Sequence, residues 1–163
     1  MRLWQQALFS VVLAGVFVTA QAADITVTDW SYTFTDDITN AGTYYDKTLD
    51  SPSNASTISV QNLGGSLTYW KVQAKRSNSN NNGLNIHITR TGAGSGNGTI
   101  SGNSIILLDE SFKTIFCGSG TGNRTDIPLQ FQLTNLGVED GYGTPLRLPI
   151  DYKIITSTTE DCT

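Results

Sequence analysis

The side chains able to do chemistry are few and scattered. One histidine occurs, His87, in the run Asn85-Ile86-His87-Ile88-Thr89. Alternation with Ile86 and Ile88 puts it on the polar face of a strand, away from the core that the isoleucines fill. A hydrolytic triad needs such a base beside a serine and a carboxylate, and no Gly-x-Ser-x-Gly elbow occurs. Gly94-Ser95-Gly96 and Gly118-Ser119-Gly120 read as loop composition only. Carboxylates come as the adjacent pairs Asp36-Asp37, Asp109-Glu110, Glu139-Asp140 and Glu160-Asp161. Neighbours on a strand point to opposite faces, so a pair in sequence is not a pair in a site. Each pair also lies at or near a turn, where acidic residues serve backbone hydrogen bonds and solubility. An acidic loop holding Ca²⁺ is the open alternative, but no D-x-D-x-D-G spacing supports it. The glycine-rich run Gly92–Gly98 lacks the Lys-Ser/Thr and the following helix of a phosphate loop. No catalytic residue, metal or cofactor is expected, and the chain reads as a non-enzyme.

Two further residue sets have chemical meaning. Aromatic residues crowd the first half: Trp30, Tyr32, Tyr44, Tyr45, Tyr69 and Trp70. Trp70 and the stripe Trp30-Tyr32-Phe34 are explained by core packing. Tyr44 and Tyr45 sit in a polar loop and are the candidates for stacking on a sugar. The two cysteines, Cys117 and Cys162, are the only ones. A lone histidine and the absence of Cys-x-x-Cys argue against a metal pair, so a disulfide is expected. It would close a loop worth on the order of 4 kcal/mol in the chain-entropy model and would pin the C-terminal tail.

The compartment follows from the N-terminus. Arg2, an apolar stretch from Ala7 to Val18 and the small-x-small close Ala20-Gln21-Ala22 read as a signal peptide over residues 1–22. The apolar stretch is shorter than the roughly 20 residues of a spanning helix. Export to an oxidising compartment explains two otherwise isolated cysteines. The expected location is secreted: extracellular, on the cell surface or in the periplasm. The net charge is −4 and no Lys/Arg cluster occurs, which argues against nucleic acid or an anionic membrane as partner.

What must position these residues is a single domain, 23–163, built of strands. Period-two alternation recurs and no long stretch keeps a helical period. The first strand is placed at Ile25–Phe34, with Ile25 and Val27 on one face and Trp30, Tyr32 and Phe34 in line after a one-residue slip near Thr28-Asp29. That slip suggests a bulge, or a strand that changes sheets. Further strands are placed at Thr57–Val60, Leu67–Lys75 and Leu84–Thr89. Arg90–Gly98 reads as a flexible loop or hairpin tip. The two clearest strands are Ile127–Leu133 and Leu146–Ile154. Pro128 and Pro149 cannot donate to a ladder, so each suggests an edge or a strand start. About seven to nine strands with Gly/Asn turns point to an all-β fold: one antiparallel, immunoglobulin-like β-sandwich with one disulfide.

Export, small size, Thr/Asn/Gly-rich strands, one disulfide and no catalytic groups together resemble bacterial surface-filament subunits, the pilin, fimbrial and spore-coat-U-like proteins. The resemblance is one of style over the mature chain. It implies subunits that complete one another by lending a strand. The segment Ala23–Phe34, alternating from its first residues, is the segment that would be lent: Ile25, Val27, Trp30, Tyr32 and Phe34 would fill a neighbour's groove. Its other reading is the domain's own first strand. Chaperone–usher pilins usually carry an early cysteine and a penultimate tyrosine, whereas here Cys162 itself is penultimate. What carries over is therefore self-association, with copies of itself or related surface subunits as partners, and not the assembly machinery. The alternative is a secreted carbohydrate-binding module, with polysaccharide as partner and contacts at Tyr44 and Tyr45.

Overall fold

The computed structural model describes residues 23–31, 48–63, 68–77, 83–136, 148–160 and 162. Among them are eleven strands and no helix. In order they are β1 (Asp24–Val27), β2 (Leu49–Asp50), β3 (Ser56–Gln61), β4 (Thr68–Arg76), β5 (Asn85–Arg90), β6 (Ser95–Gly96), β7 (Thr99–Ser101), β8 (Ile106–Leu108), β9 (Lys113–Gly120), β10 (Arg124–Thr134) and β11 (Ile150–Ser157). Seven of these have four or more residues, and the others are short additions to sheet edges and ends.

The strands form two antiparallel sheets. One runs β1-β3-β10-β5-β8, with β2 and β6 also paired to β10; the other runs β11-β4-β9-β7. Their inner faces make one core. Ile58 and Val60 of β3, Ile86 and Ile88 of β5, and Ile127, Leu129 and Leu133 of β10 are buried against Trp70, Val72 and Ala74 of β4 and Phe116 of β9. Period-two alternation is the cause: one apolar face per strand can be buried only if two sheets close on each other. The all-β sandwich with one disulfide is therefore the fold. Nothing in its strand order singles out the immunoglobulin arrangement.

Four local expectations are corrected. β1 ends at Val27, and residues 28–31 are not strand. The Thr28 amide donates to the Thr57 carbonyl, and the Ser56 hydroxyl donates to the Thr28 carbonyl. These bonds close the ladder, and the chain then turns so that Trp30 stacks on Phe131. The expected slip is a strand end and not a bulge. The last strand begins at Ile150, after Leu148 and Pro149, and runs on to Ser157. Pro149 does mark a strand start.

Pro128 lies inside β10, a central strand, and not at an edge. Its carbonyl accepts from the amide of Thr91, just past the end of β5. In an antiparallel pair a residue's N and C=O face the same neighbour. The missing N–H therefore points where β5 has already finished. A bulge lies beside it, between Arg124 and Ile127, with Asp126 at φ 56°.

The glycine-rich run is not a free loop. Ser95-Gly96 pairs with Arg124 and Thr125 of β10. Arg124, only 6 % exposed, donates through Nε to the carbonyl of Ala93 at 2.7 Å and through Nη1 to those of Asn97 and Gly98 at 3.2 and 3.1 Å. Arg90 donates to the carbonyls of Gly92, at the start of the run, and of Gly102, beyond its end. Burial and the neighbouring Arg124 charge both push the Arg90 guanidinium below its ordinary value. The glycines let backbone carbonyls converge on a cation, a conformation that Gly94 (φ 66°) and Gly98 (φ 85°) reach without strain.

Candidate functional site: an open seam between the sheets

β1 is the edge of the seven-stranded sheet and β11 the edge of the four-stranded one. The two edges lie on the same side of the sandwich and touch without pairing. Between them opens a cleft of about 270 Å³. That is nearly twice the ~150 Å³ that holds a benzene in a dry protein cavity. Val27, Thr28 and Trp30 line one wall, Leu148, Ile150 and Tyr152 the other, and Phe131 lies at the base.

The wall residues have distinct roles. Trp30 stacks on Phe131 with ring centroids 5.6 Å apart and planes at 14°. Val27 is half-buried on β1, opposite Ile58. Tyr152 stands opposite Ala74 on the inward face of β11. Burial, with the Asp29 carboxylate adding to it, pushes the Tyr152 phenol well above its ordinary value. Because the folded protein resists ionising Tyr152, its neutral form favours folding. That contribution is complete below the unfolded-state value of about 10 and is lost as pH rises through the folded value. Stability is therefore expected to decline above about pH 10, and to decline less steeply in Tyr152→Phe. Thermal melts of both proteins from neutral to alkaline pH check this; parallel curves would refute it.

The seam brings together some of the residues expected from sequence. Val27 and Trp30 both line it, and Ile25 lies on the same half-buried side of β1, packed against the core. Tyr32 and Phe34 lie outside the described residues, as do Tyr44, Tyr45 and the segment 1–22. Sequence reasoning missed Tyr152, Leu148 and Phe131 as seam residues. Their alternation marked them as core, and nothing in residue type tells a closed core from an open edge.

The two ends of the domain are held differently. Cys117 and Cys162 form the disulfide. Cys117 sits opposite Lys71 on the outer face of the four-stranded sheet. The tail after β11 must therefore pass over β4 to reach β9, and Ser101 of β7 contacts the Cys162 sulfur at 3.7 Å. The covalent tie fastens β11 at the seam. Among the described residues β1 is held without a covalent tie, by its ladder with β3, its contact with β11 and the half-burial of Ile25 and Val27. Full burial of such side chains contributes about 1.5–3 kcal/mol each, and a net backbone hydrogen bond about 1.

Among the described residues no three His, Cys, Asp or Glu side chains gather as metal ligands. Comparison with protein-family models, with curated proteins and with solved structures finds no match to this chain.

Proposed function

We propose that this chain is a secreted, non-enzymatic structural subunit of a bacterial cell-surface filament or extracellular matrix, and that its copies associate by exchanging β1. The observation that carries this reading is the seam: a short, half-buried edge strand at a flank of the sandwich that no described strand closes. Opposite it, the eight-residue edge of β11 pairs only with β4 among the described residues. An exchanged β1 makes the same contacts in another copy that it makes in its own. The net cost of exchange is then mainly the entropy of association, which high local concentration offsets. An unpaired edge of this length is also a ready template for a strand from outside.

Deleting residues 23–27 tests the reading. The truncated domain is expected to fold, with circular dichroism unchanged in type, and to stay monomeric at concentrations where the full domain forms large species. A truncated protein that folds and still polymerises would overturn it.

A further inference from the structure

The outer face of the seven-stranded sheet carries a second, separate feature. His87 and Thr89 lie two residues apart on β5, pointing away from the buried Ile86 and Ile88. His87 Nδ1 and Thr89 Oγ1 are shielded from solvent and have no hydrogen-bond partner among the described residues. Such orphaned groups are costly, so their presence on a sheet face calls for a reason.

Their neighbours are oriented. Gln132 stands opposite His87 and Gln130 opposite Thr89. Gln132 Nε2 donates to Asp50 Oδ1 at 2.9 Å, and Gln130 Nε2 donates to the Ser51 carbonyl at 2.9 Å. Both partners are pure acceptors, so the amide nitrogens must face them. Each amide carbonyl is thereby left as a fixed acceptor with no donor from a described residue. On the other side of His87 lies Leu107, 42 % exposed, with Ile105 beside it at 57 %. Among the described residues, no Lys or Arg points outward from β3, β10 or β5 on this face; the charges beside it are the Asp50 carboxylate and, at the β8 edge, the Lys113 ammonium, which donates to the Leu107 carbonyl at 2.9 Å and pairs with Asp109 at 2.8 Å.

We propose that this row binds an uncharged, hydroxyl-rich glycan chain. Fixed acceptors receive sugar hydroxyl protons, and the exposed leucine and isoleucine cover the C–H face of a ring. Half a turn of the imidazole about χ2 presents Nδ1 to the ligand, and one rotamer change does the same for Thr89 Oγ1. The Asp50 carboxylate, with the one neighbouring ammonium already paired to Asp109, disfavours an anionic polymer. This site is independent of strand exchange, because β1 lies at the opposite edge of the same sheet from β8.

Native electrophoresis of the full domain in gels holding hydroxyethyl cellulose, dextran, laminarin or galactomannan, with alginate as the anionic control, tests the proposal. At least one neutral polymer is expected to retard the wild type, and alginate is not. The double variant His87→Ala/Gln132→Ala is expected to lose at least ten-fold in affinity with its melting temperature not lowered. Leu107→Asp, on an exposed side chain, is expected to weaken binding as well and covers the case in which the double variant misfolds. No retardation by any neutral polymer, equal retardation by alginate, or unchanged binding in a folded variant would each overturn it. Loss of self-association in Leu107→Asp without retardation of the wild type would also overturn it and assign the face to contacts between copies.

Discussion

Gly118→Val is expected to destabilise the domain by about 3 kcal/mol or more, the upper end of overpacking effects. Gly118 lies on β9 opposite Trp70, with its Cα hydrogens against the indole. A Cβ placed there would come within 2.2 Å of Trp70 Cζ2 and 2.6 Å of Cε2 and Cη2. Trp70 cannot yield, because it is 3 % exposed and meets Phe116 edge-on at 6.2 Å. The clash is with the middle of a rigid ring and not with the end of a flexible chain. Urea unfolding should show the midpoint falling with the slope unchanged. Gly122→Ala is the comparison: nothing lies within 4 Å of its Cβ position, and only its φ of 95° opposes a side chain. It should cost about 1 kcal/mol. Trp70→Leu combined with Gly118→Val should recover part of the loss, since the two residues share one space. Equal effects at Gly118 and Gly122 would show that the Trp70–Gly118 contact does not limit packing.

Cys117→Ser/Cys162→Ser is expected to cost about 4 kcal/mol, from the loop of sequence separation 45 that the bridge closes. For a domain of this size that is a fall in melting temperature of roughly 10 °C. The loss should be uneven. The bridge fastens the tail of β11 to β9, so β11 amides should lose hydrogen-exchange protection well before those of β10. The double variant should also associate more readily, because freeing β11 gives the seam a second strand that can leave. A change below 1 kcal/mol, or uniform loss of protection, would show that the bridge does not hold the seam edge.

Much of the fold was legible in the sequence, for reasons tied to particular strands. β5 and β10 alternate cleanly: Ile86, Ile88, Leu129, Phe131 and Leu133 are all buried, with polar residues between them. β9 was harder. A register shift opposite Val72 and Gln73 lets Ile115 and Phe116 both turn inward, and Cys117 is buried on the outer face under its own disulfide. Four consecutive buried residues, Ile115–Gly118, hide the period. The burial of Arg124 was not legible, because charged side chains are seldom buried without a partner. Its partners are three backbone carbonyls of the glycine-rich run, and composition does not record where a carbonyl points. The disulfide needed only a count of cysteines.

The seam was the least legible feature. Val27 and Trp30 were read as potential contacts between copies, yet whether their groove is open depends on how far apart β1 and β11 stand. That spacing follows from strand order across two sheets. β1 joins β3 in one sheet, β11 joins β4 in the other, and no described strand bridges them. Alternation within a strand specifies which side chains face inward, and leaves open which edges meet.

Strand exchange is tested most directly by locking β1 to its own domain. Asp24 and Gln61 are partners across the β1–β3 ladder. Facing residues of an antiparallel pair have Cα atoms about 4.5–5.5 Å apart, within disulfide reach. Sedimentation velocity over a concentration series of oxidised Asp24→Cys/Gln61→Cys should be compared with wild type and with each single variant alkylated at its new cysteine. The account predicts that wild type and alkylated single variants grow into large species with concentration while the locked protein remains monomeric. A locked protein that associates as the wild type does, or a wild type that is monomeric throughout, would contradict it.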